Sequence, residues 1–177
     1  MPSVPEVEFK PVEVRTRSGR ALEVREYCLE DFGALVEMYR SFEPKRVAQG
    51  LPPPDVPRIA HWLDELQRKS RALLALDGKR VVAHAILCPI SETAVEFTIF
   101  VHQDFREQKL GTALTRLELQ FAAAMGFKEV FLTTELSNFP ALCLYRKIGF
   151  RITSRYGDEC EMKIDIAKVH GELPQAA

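Results

Sequence analysis

Val101-His-Gln-Asp-Phe-Arg-Glu-Gln-Lys-Leu-Gly-Thr-Ala-Leu114 is a polar bridge between two apolar runs of different period. Upstream, Val95-Glu-Phe-Thr-Ile-Phe-Val101 is β-branched and aromatic, which suits a strand. Downstream, Leu110, Ala113, Leu114, Leu117, Phe121 and Ala124 recur at helical spacing, and Gly126 is placed to end a helix near Met125. Glu129–Thr134 reads as the next strand. Strand, helix and strand over 95–134 imply a parallel crossover. A helix that starts straight after a strand leaves its first N–H groups unpaired at the positive end of its dipole. That is an anion site. Gly111 lets a phosphate approach the backbone, and Arg106 and Lys109 add positive charge. The same residues also fit an ordinary strand–helix turn with two solvated basic side chains. No Lys-Ser or Lys-Thr pair follows Gly111, which disfavours a nucleotide-hydrolysing P-loop.

On the N-terminal side, Ala21–Arg25 alternates as a strand, and Leu29–Phe42 carries Phe32, Leu35, Val36 and Tyr39 on one helical face. Prolines break the chain over Glu43–Pro57. A helix follows over Pro57–Lys69, with Asp55 as a candidate cap and Pro57 in its first turn. Arg71–Leu76 and Arg80–Cys88 flank Asp77-Gly78-Lys79, a hairpin signal. On the C-terminal side, Asn138–Ile148 is a helix with Pro140 in its first turn and Gly149 just past its end. Phe150–Ser154 and Cys160–Ile166 are strands joined by a turn at Arg155–Asp158. Residues 1–19 form an extended arm or edge strand, 20–167 a single domain, and 168–177 a frayed tail.

At 177 residues the chain suits one domain, and its 46% apolar share is ordinary for a globular fold. Lys plus Arg is 24 and Asp plus Glu is 25, so there is no basic excess for a nucleic-acid partner. No apolar run reaches the roughly 18 residues that span a bilayer, so no membrane is expected. The N-terminus lacks a secretory pattern, and Cys28, Cys88, Cys143 and Cys160 are scattered. Reduced thiols, a cytoplasmic location and no metal are the expectation.

After the loop and the strand that follows it comes Asn138-Phe-Pro-Ala-Leu-Cys-Leu-Tyr145-Arg-Lys-Ile-Gly149-Phe150. With the loop, this segment resembles the GNAT superfamily of N-acetyltransferases. The family's phosphate loop reads Arg/Gln-x-x-Gly-x-Gly/Ala, and Arg106-Glu-Gln-Lys109-Leu-Gly111 is the preferred register, with Lys109 where a glycine is usual. Gln108-Lys-Leu-Gly111-Thr-Ala113 satisfies the pattern in a shifted register. The later motif, Asn-x-x-Ala-x-x-Leu-Tyr-x-x-x-Gly-Phe, is matched in full. The resemblance covers residues 20–166. It implies an α/β (α+β) fold: a mixed, mostly antiparallel sheet of six to seven strands with about four helices on its two faces.

The resemblance also implies an N-acetyltransferase that moves an acetyl group from acetyl-CoA directly to a primary amine of a small molecule or peptide. The pantetheine arm would pair with the edge Ile99-Phe100-Val101. The pyrophosphate would lie on the N–H groups of Arg106, Glu107, Gln108, Lys109, Leu110, Gly111 and Thr112. Tyr145 resembles the tyrosine that protonates the departing thiolate; its place on the helix's apolar face fits a core residue equally. Glu96, a carboxylate inside an apolar strand, must find a partner, water, or a use as general base, unless it is exposed at an edge. Several branches of the family place their base there. His84 and His102 are weaker base candidates. Asn138 reads as a ligand of the cofactor arm or as a helix cap. Gln49–Pro54, Trp62, Asp158, Glu159 and Glu161 are candidates for the acceptor pocket, and homodimers are common in the family. A non-catalytic module that binds coenzyme A or acyl-CoA would keep the loop without needing Glu96 or Tyr145.

Overall fold

The computed structural model describes residues 6–44 and 52–167. In chain order the elements are β1 (Val12–Arg15), β2 (Ala21–Glu26), α1 (Phe32–Arg40), α2 (Val56–Gln67), β3 (Arg71–Asp77) and β4 (Arg80–Pro89). They continue with β5 (Ala94–Val101), α3 (Leu110–Ala124), β6 (Glu129–Glu135), α4 (Phe139–Ile148), β7 (Arg151–Tyr156) and β8 (Glu159–Asp165). The strands form one 8-stranded sheet in the order β1-β2-β3-β4-β5-β6-β8-β7. Its β5–β6 pair is parallel, and the other pairs are antiparallel.

The fold class is the expected one, with a sheet of eight strands rather than six to seven. Val12–Arg15 supplies an extra edge strand, paired with β2 from Val12↔Val24 to Arg15↔Ala21. Only Val14 of β1 is buried, so its apolar signal is short, and Pro11 just before it obscures it. The segment read as one helix from Leu29 divides into a 3-10 turn, Leu29–Asp31, and α1. Asp31 accepts two bonds from Arg25 at 2.7 Å and one from the Cys28 N–H at 3.0 Å. The last hairpin turns on Gly157-Asp158, with Gly157 at φ 58, so Arg155 and Tyr156 belong to β7. A two-residue hairpin loop wants a positive φ, and glycine supplies it without strain.

Local chemistry sets several boundaries as read from the sequence. Asp55 caps α2 by accepting from the Arg58 N–H at 3.0 Å, with Pro57 in the first turn. Gly78, at φ 61, turns the β3–β4 hairpin.

Two cores lie on the two faces of the sheet. One joins Val95, Phe97, Val130 and Leu132 to α3 and α4 through Leu114, Phe121, Leu142 and Tyr145. The other joins Leu74, Ile86 and Phe100 to α1 and α2 through Leu35, Tyr39, Ile59 and Leu63. A sheet buried on both faces orders every side chain of β5 by its parity, which places the site. Among the described residues no helix is long and apolar enough to cross a membrane.

Candidate functional site

The parallel pairing of β5 and β6 is short. It runs through Ala94↔Glu129, Val95↔Val130 and Glu96↔Phe131 and stops. β5 nevertheless continues to Val101 against β4, and β6 continues to Glu135 against β8. The two strands therefore separate from Phe97 and Leu132 onward. Backbone direction alternates along a strand. The His102 N–H donates to Val82 O at 2.9 Å, toward β4. By that alternation the backbone of Thr98 and Phe100 also faces β4, whereas Phe97, Ile99 and Val101 face the opening. Of the edge expected from the sequence, Ile99 and Val101 present their backbone, and Phe100 does not.

At the wide end of this opening lies the loop into α3. Phe105 is buried and anchors it, with the Arg20 and Arg80 guanidiniums 5.9 Å and 5.6 Å from its ring centre. Glu107 and Lys109 then take left-handed backbone conformations, φ 59 and φ 64. The first helical bond of α3 runs from the Ala113 N–H to Lys109 O at 3.1 Å. Among the described residues, the N–H groups of Glu107, Gln108, Lys109, Leu110, Gly111 and Thr112 donate to no acceptor. Consecutive free N–H groups in a turn with alternating hand make a concave anion nest, here continuous with a helix N-terminus.

Of the N–H groups expected to hold a pyrophosphate, that of Arg106 donates instead to Gln103 O at 3.4 Å. Arg106 turns away from the nest: its Nε donates to Val101 O at 3.1 Å and its guanidinium lies 5.2 Å from the Phe42 ring centre. Gln108 is stapled to the β1–β2 turn, where its carbonyl accepts from the Arg17 N–H at 3.0 Å and its Oε1 from the Ser18 N–H at 3.2 Å. A Cβ on Gly111 would meet Leu144 Cδ1 at 3.3 Å, so close packing of α3 on α4 also asks for a small residue there.

Lys109 is exposed, without a partner among the described residues. Its φ of 64 gives the physical reason a glycine suits the position. Holding a side-chain-bearing residue in the left-handed region costs about 1 kcal/mol or somewhat more. Lys109→Gly is therefore expected to raise stability by about 1 kcal/mol, read as a higher denaturation midpoint. An unchanged or lower midpoint would contradict this account of the loop.

Tyr145, on α4, is only 9% exposed. Its ring meets Phe97 edge-on at 6.5 Å and Phe150 at 5.7 Å, beside the point where the β5–β6 register ends. Burial pushes its phenol up to about 12, so it is fully protonated at neutral pH. Its hydroxyl has no partner among the described residues and is not among the sealed, unpaired polar atoms. A proton donor in an apolar wall therefore remains available to the opening. Asn138 caps α4, its Oδ1 accepting from the Ala141 N–H at 3.3 Å.

Glu96 is exposed and makes no ion pair among the described residues, which is the exposed alternative, although β5 lies inside the sheet and not at its edge. It shares a face of the sheet with Phe100, but α1 and α2 cover Ile86 and Phe100 without reaching Glu96 and its cross-strand partner Cys88. The two histidines read as weaker base candidates, His84 and His102, are both buried and hydrogen-bonded. His84 is buried, its Nδ1 2.7 Å from the Tyr39 hydroxyl, and burial holds it near 3. His102 Nδ1 accepts from the Asp104 N–H at 3.3 Å, its Nε2 is 3.2 Å from Ser41 Oγ, and burial lowers its pKa.

Trp62 packs on Tyr39 at 5.2 Å and Phe100 at 5.9 Å. Gln49, Gly50 and Leu51 lie outside the described residues. Glu159 and Glu161 stand opposite Glu135 and Thr133 on the face that also bears Glu96, and the Glu161 carboxylate accepts from the Thr153 hydroxyl at 2.7 Å. Asp158 lies in the adjoining turn, and its carbonyl accepts from the Leu136 N–H at 2.7 Å. No group of His, Cys, Asp and Glu among the described residues is placed to hold a metal ion. Sequence reading missed Phe97, the Arg17–Ser18 turn and Gln103, because no local pattern marks a residue whose partner lies far along the chain.

Comparison with known proteins fits this geometry. The chain is 39% identical to human N-acetyltransferase 8 over 95 residues, which are 50% of this chain and 42% of that protein. The curated relatives are matched over only 21% to 50% of their own lengths. The GNAT domain of PAT from S. lividans superposes with a TM-score of 0.72 at 16% identity, covering 88% of this chain and 96% of that one. A putative acetyltransferase from Salmonella typhimurium, solved with acetyl-CoA, superposes at 0.67 and 18% identity, covering 82% and 94%. At such identities these structures speak for the fold. The description "Acetyltransferase (GNAT) family" matches residues 33–150, a stretch that contains the nest, the opening and Tyr145, and the chain belongs to that family.

Proposed function

We propose that the protein is an N-acetyltransferase that uses acetyl-CoA to acetylate a primary amine of a small molecule or peptide, by direct transfer with both substrates bound. The observation that carries this reading is the run of free N–H groups from Glu107 to Thr112 at the mouth of the β5–β6 opening. A pyrophosphate suits the nest in charge and in hydrogen-bonding need. An extended arm bearing amides suits the open edge at Ile99 and the Val101 N–H, as a strand added to a sheet; the Val101 carbonyl is already taken by Arg106.

Acetyl-CoA supplies an acyl group activated as a thioester, and the chain supplies the rest. A free N–H on the β5 edge polarises the acyl carbonyl. Tyr145 gives its proton to the sulfur as the C–S bond breaks and the C–N bond forms. Glu96 takes the proton lost by the amine, through water where the distance requires it. Glu96 shares the open face with Thr98, Phe131, Thr133, Glu159 and Glu161, and an acidic face suits a cationic amine. Asn138 has an amide NH2 left over from its capping bond to offer the coenzyme arm.

The test joins calorimetry of acetyl-CoA binding to thiol release over a panel of amines, polyamines, amino acids and lysine peptides. Binding followed by amine-dependent release is expected. Binding without release on a broad panel would favour a regulatory coenzyme-A module, and absence of binding would remove the reading altogether.

A further inference from the structure

The stretch His102–Arg106 belongs to the coenzyme loop by its backbone and to α1 by its side chains. Gln103 Nε2 donates to Ser41 O at 2.7 Å, and its Oε1 accepts from the Glu43 N–H at 3.0 Å. His102 Nε2 lies 3.2 Å from Ser41 Oγ. Arg106 donates to both Val101 O and Glu43 O and lies over Phe42. Phe42 in turn packs on Phe100 of β5 at 5.8 Å. The exit of α1, Ser41–Glu43, is thus held by the residues that lead into the nest.

The layers decide why that exit matters. On the α3–α4 side, the start of the opening is filled by Phe97, Tyr145 and Phe150. An amine reaches the β5 edge from the other side, where Thr98, Phe100, Phe42 and Glu96 lie. Whatever sets Ser41–Glu43 therefore shapes the amine's approach.

We propose that Gln103 is an acceptor-positioning residue, which carries the filling of the Glu107–Thr112 nest to the exit of α1. The inference rests on the reading of the nest as a coenzyme site. The physical link is short. An anion seated on these N–H groups fixes the left-handed turns at Glu107 and Lys109, and with them the direction in which the loop leaves Arg106. Gln103 and Arg106 pass that constraint through their side chains, which bond to the backbone of Ser41 and Glu43. Ordering of one segment then lowers the cost of ordering the next.

Hydrogen exchange on the full chain, with coenzyme A as the probe, tests this without knowledge of the acceptor. In the unmodified protein, coenzyme A is expected to slow exchange roughly threefold or more both at 107–112 and at Phe42 and Glu43. In Gln103→Ala the slowing at 107–112 should persist, while that at Phe42 and Glu43 is lost. Gln103→Glu should fall between, because it keeps the acceptor for the Glu43 N–H and loses the donor to Ser41. With any amine that supports thiol release, Gln103→Ala should raise the acceptor KM about tenfold and leave coenzyme affinity within about twofold. Slowing at Phe42 and Glu43 that survives in Gln103→Ala, or is missing in the unmodified protein, overturns the inference. Absence of slowing at 107–112 in the unmodified protein removes the coenzyme reading itself.

Discussion

Replacing Tyr145 by phenylalanine should lower turnover about a hundredfold or more and leave acetyl-CoA affinity nearly unchanged. The magnitude follows from general acid catalysis by one positioned group. The separation of the two effects follows from the environment of the ring. Its edge contacts with Phe97 and Phe150 hold it in an apolar wall, and phenylalanine keeps those contacts. Only the hydroxyl is removed, and it holds no partner among the described residues, so no protein bond is broken. Burial pushes this phenol up to about 12. A group whose pKa is raised stays protonated until the pH approaches that value, so Tyr145 should impose no alkaline limb on the rate through neutral and mildly alkaline pH. Steady-state thiol release across pH, beside calorimetry of coenzyme binding, reads both outcomes. Unchanged turnover in Tyr145→Phe would take the residue out of the chemistry, and a parallel loss of affinity would make it a packing residue of the arm.

The second large effect belongs to the nest. Thr112 lies in the first turn of α3, where its N–H donates to nothing among the described residues. Proline is tolerated in the first turn of a helix, because the bond it cannot donate is one the helix does not make there. Thr112→Pro should therefore keep α3 and remove one donor from the anion site. A hydrogen bond to a charged group contributes about 1.5–3 kcal/mol, so affinity for coenzyme A should fall about tenfold to a hundredfold. Circular dichroism should show the helix retained. Full affinity with an intact helix would mean that the pyrophosphate is held elsewhere.

These two residues show how differently parts of the site were legible. Tyr145 sits in a motif whose spacing spells out its helix, from the Asn138 cap and Pro140 to Gly149, which ends α4 at φ 121. The start of α3 was legible too, because an apolar period of three to four begins where a β-branched run stops. For Glu96 the sequence leaves burial and exposure both open, and the fold decides for exposure. Its neighbours along the strand are apolar, yet they face the α3–α4 core while Glu96 faces the other side, beyond the cover of α1 and α2. The sequence places Arg106 and Gln108 in the loop whose N–H groups suit a pyrophosphate, but it does not show where their side chains go. Their actual partners, Glu43 and Ser18, are 63 and 90 residues away in the chain.

The sequence alone determined most of the strands and helices, though not β1, the break at Asp31 or the end of β7, and that a phosphate-suited turn and a tyrosine-bearing helix accompany each other. Such features depend on side-chain period and on caps within a few residues. The loop Val101–Leu114 could be named as an anion site on that basis. Only the tertiary structure decided which backbone groups stay unpaired: the edge at Ile99 and the Val101 N–H, with the Val101 carbonyl taken by Arg106, and the N–H groups of Glu107–Thr112. Whether a donor is free depends on what the rest of the fold brings opposite it. Here β6 diverges from β5, the β1–β2 turn occupies Gln108, and α1 draws Arg106 away, so the nest is left open.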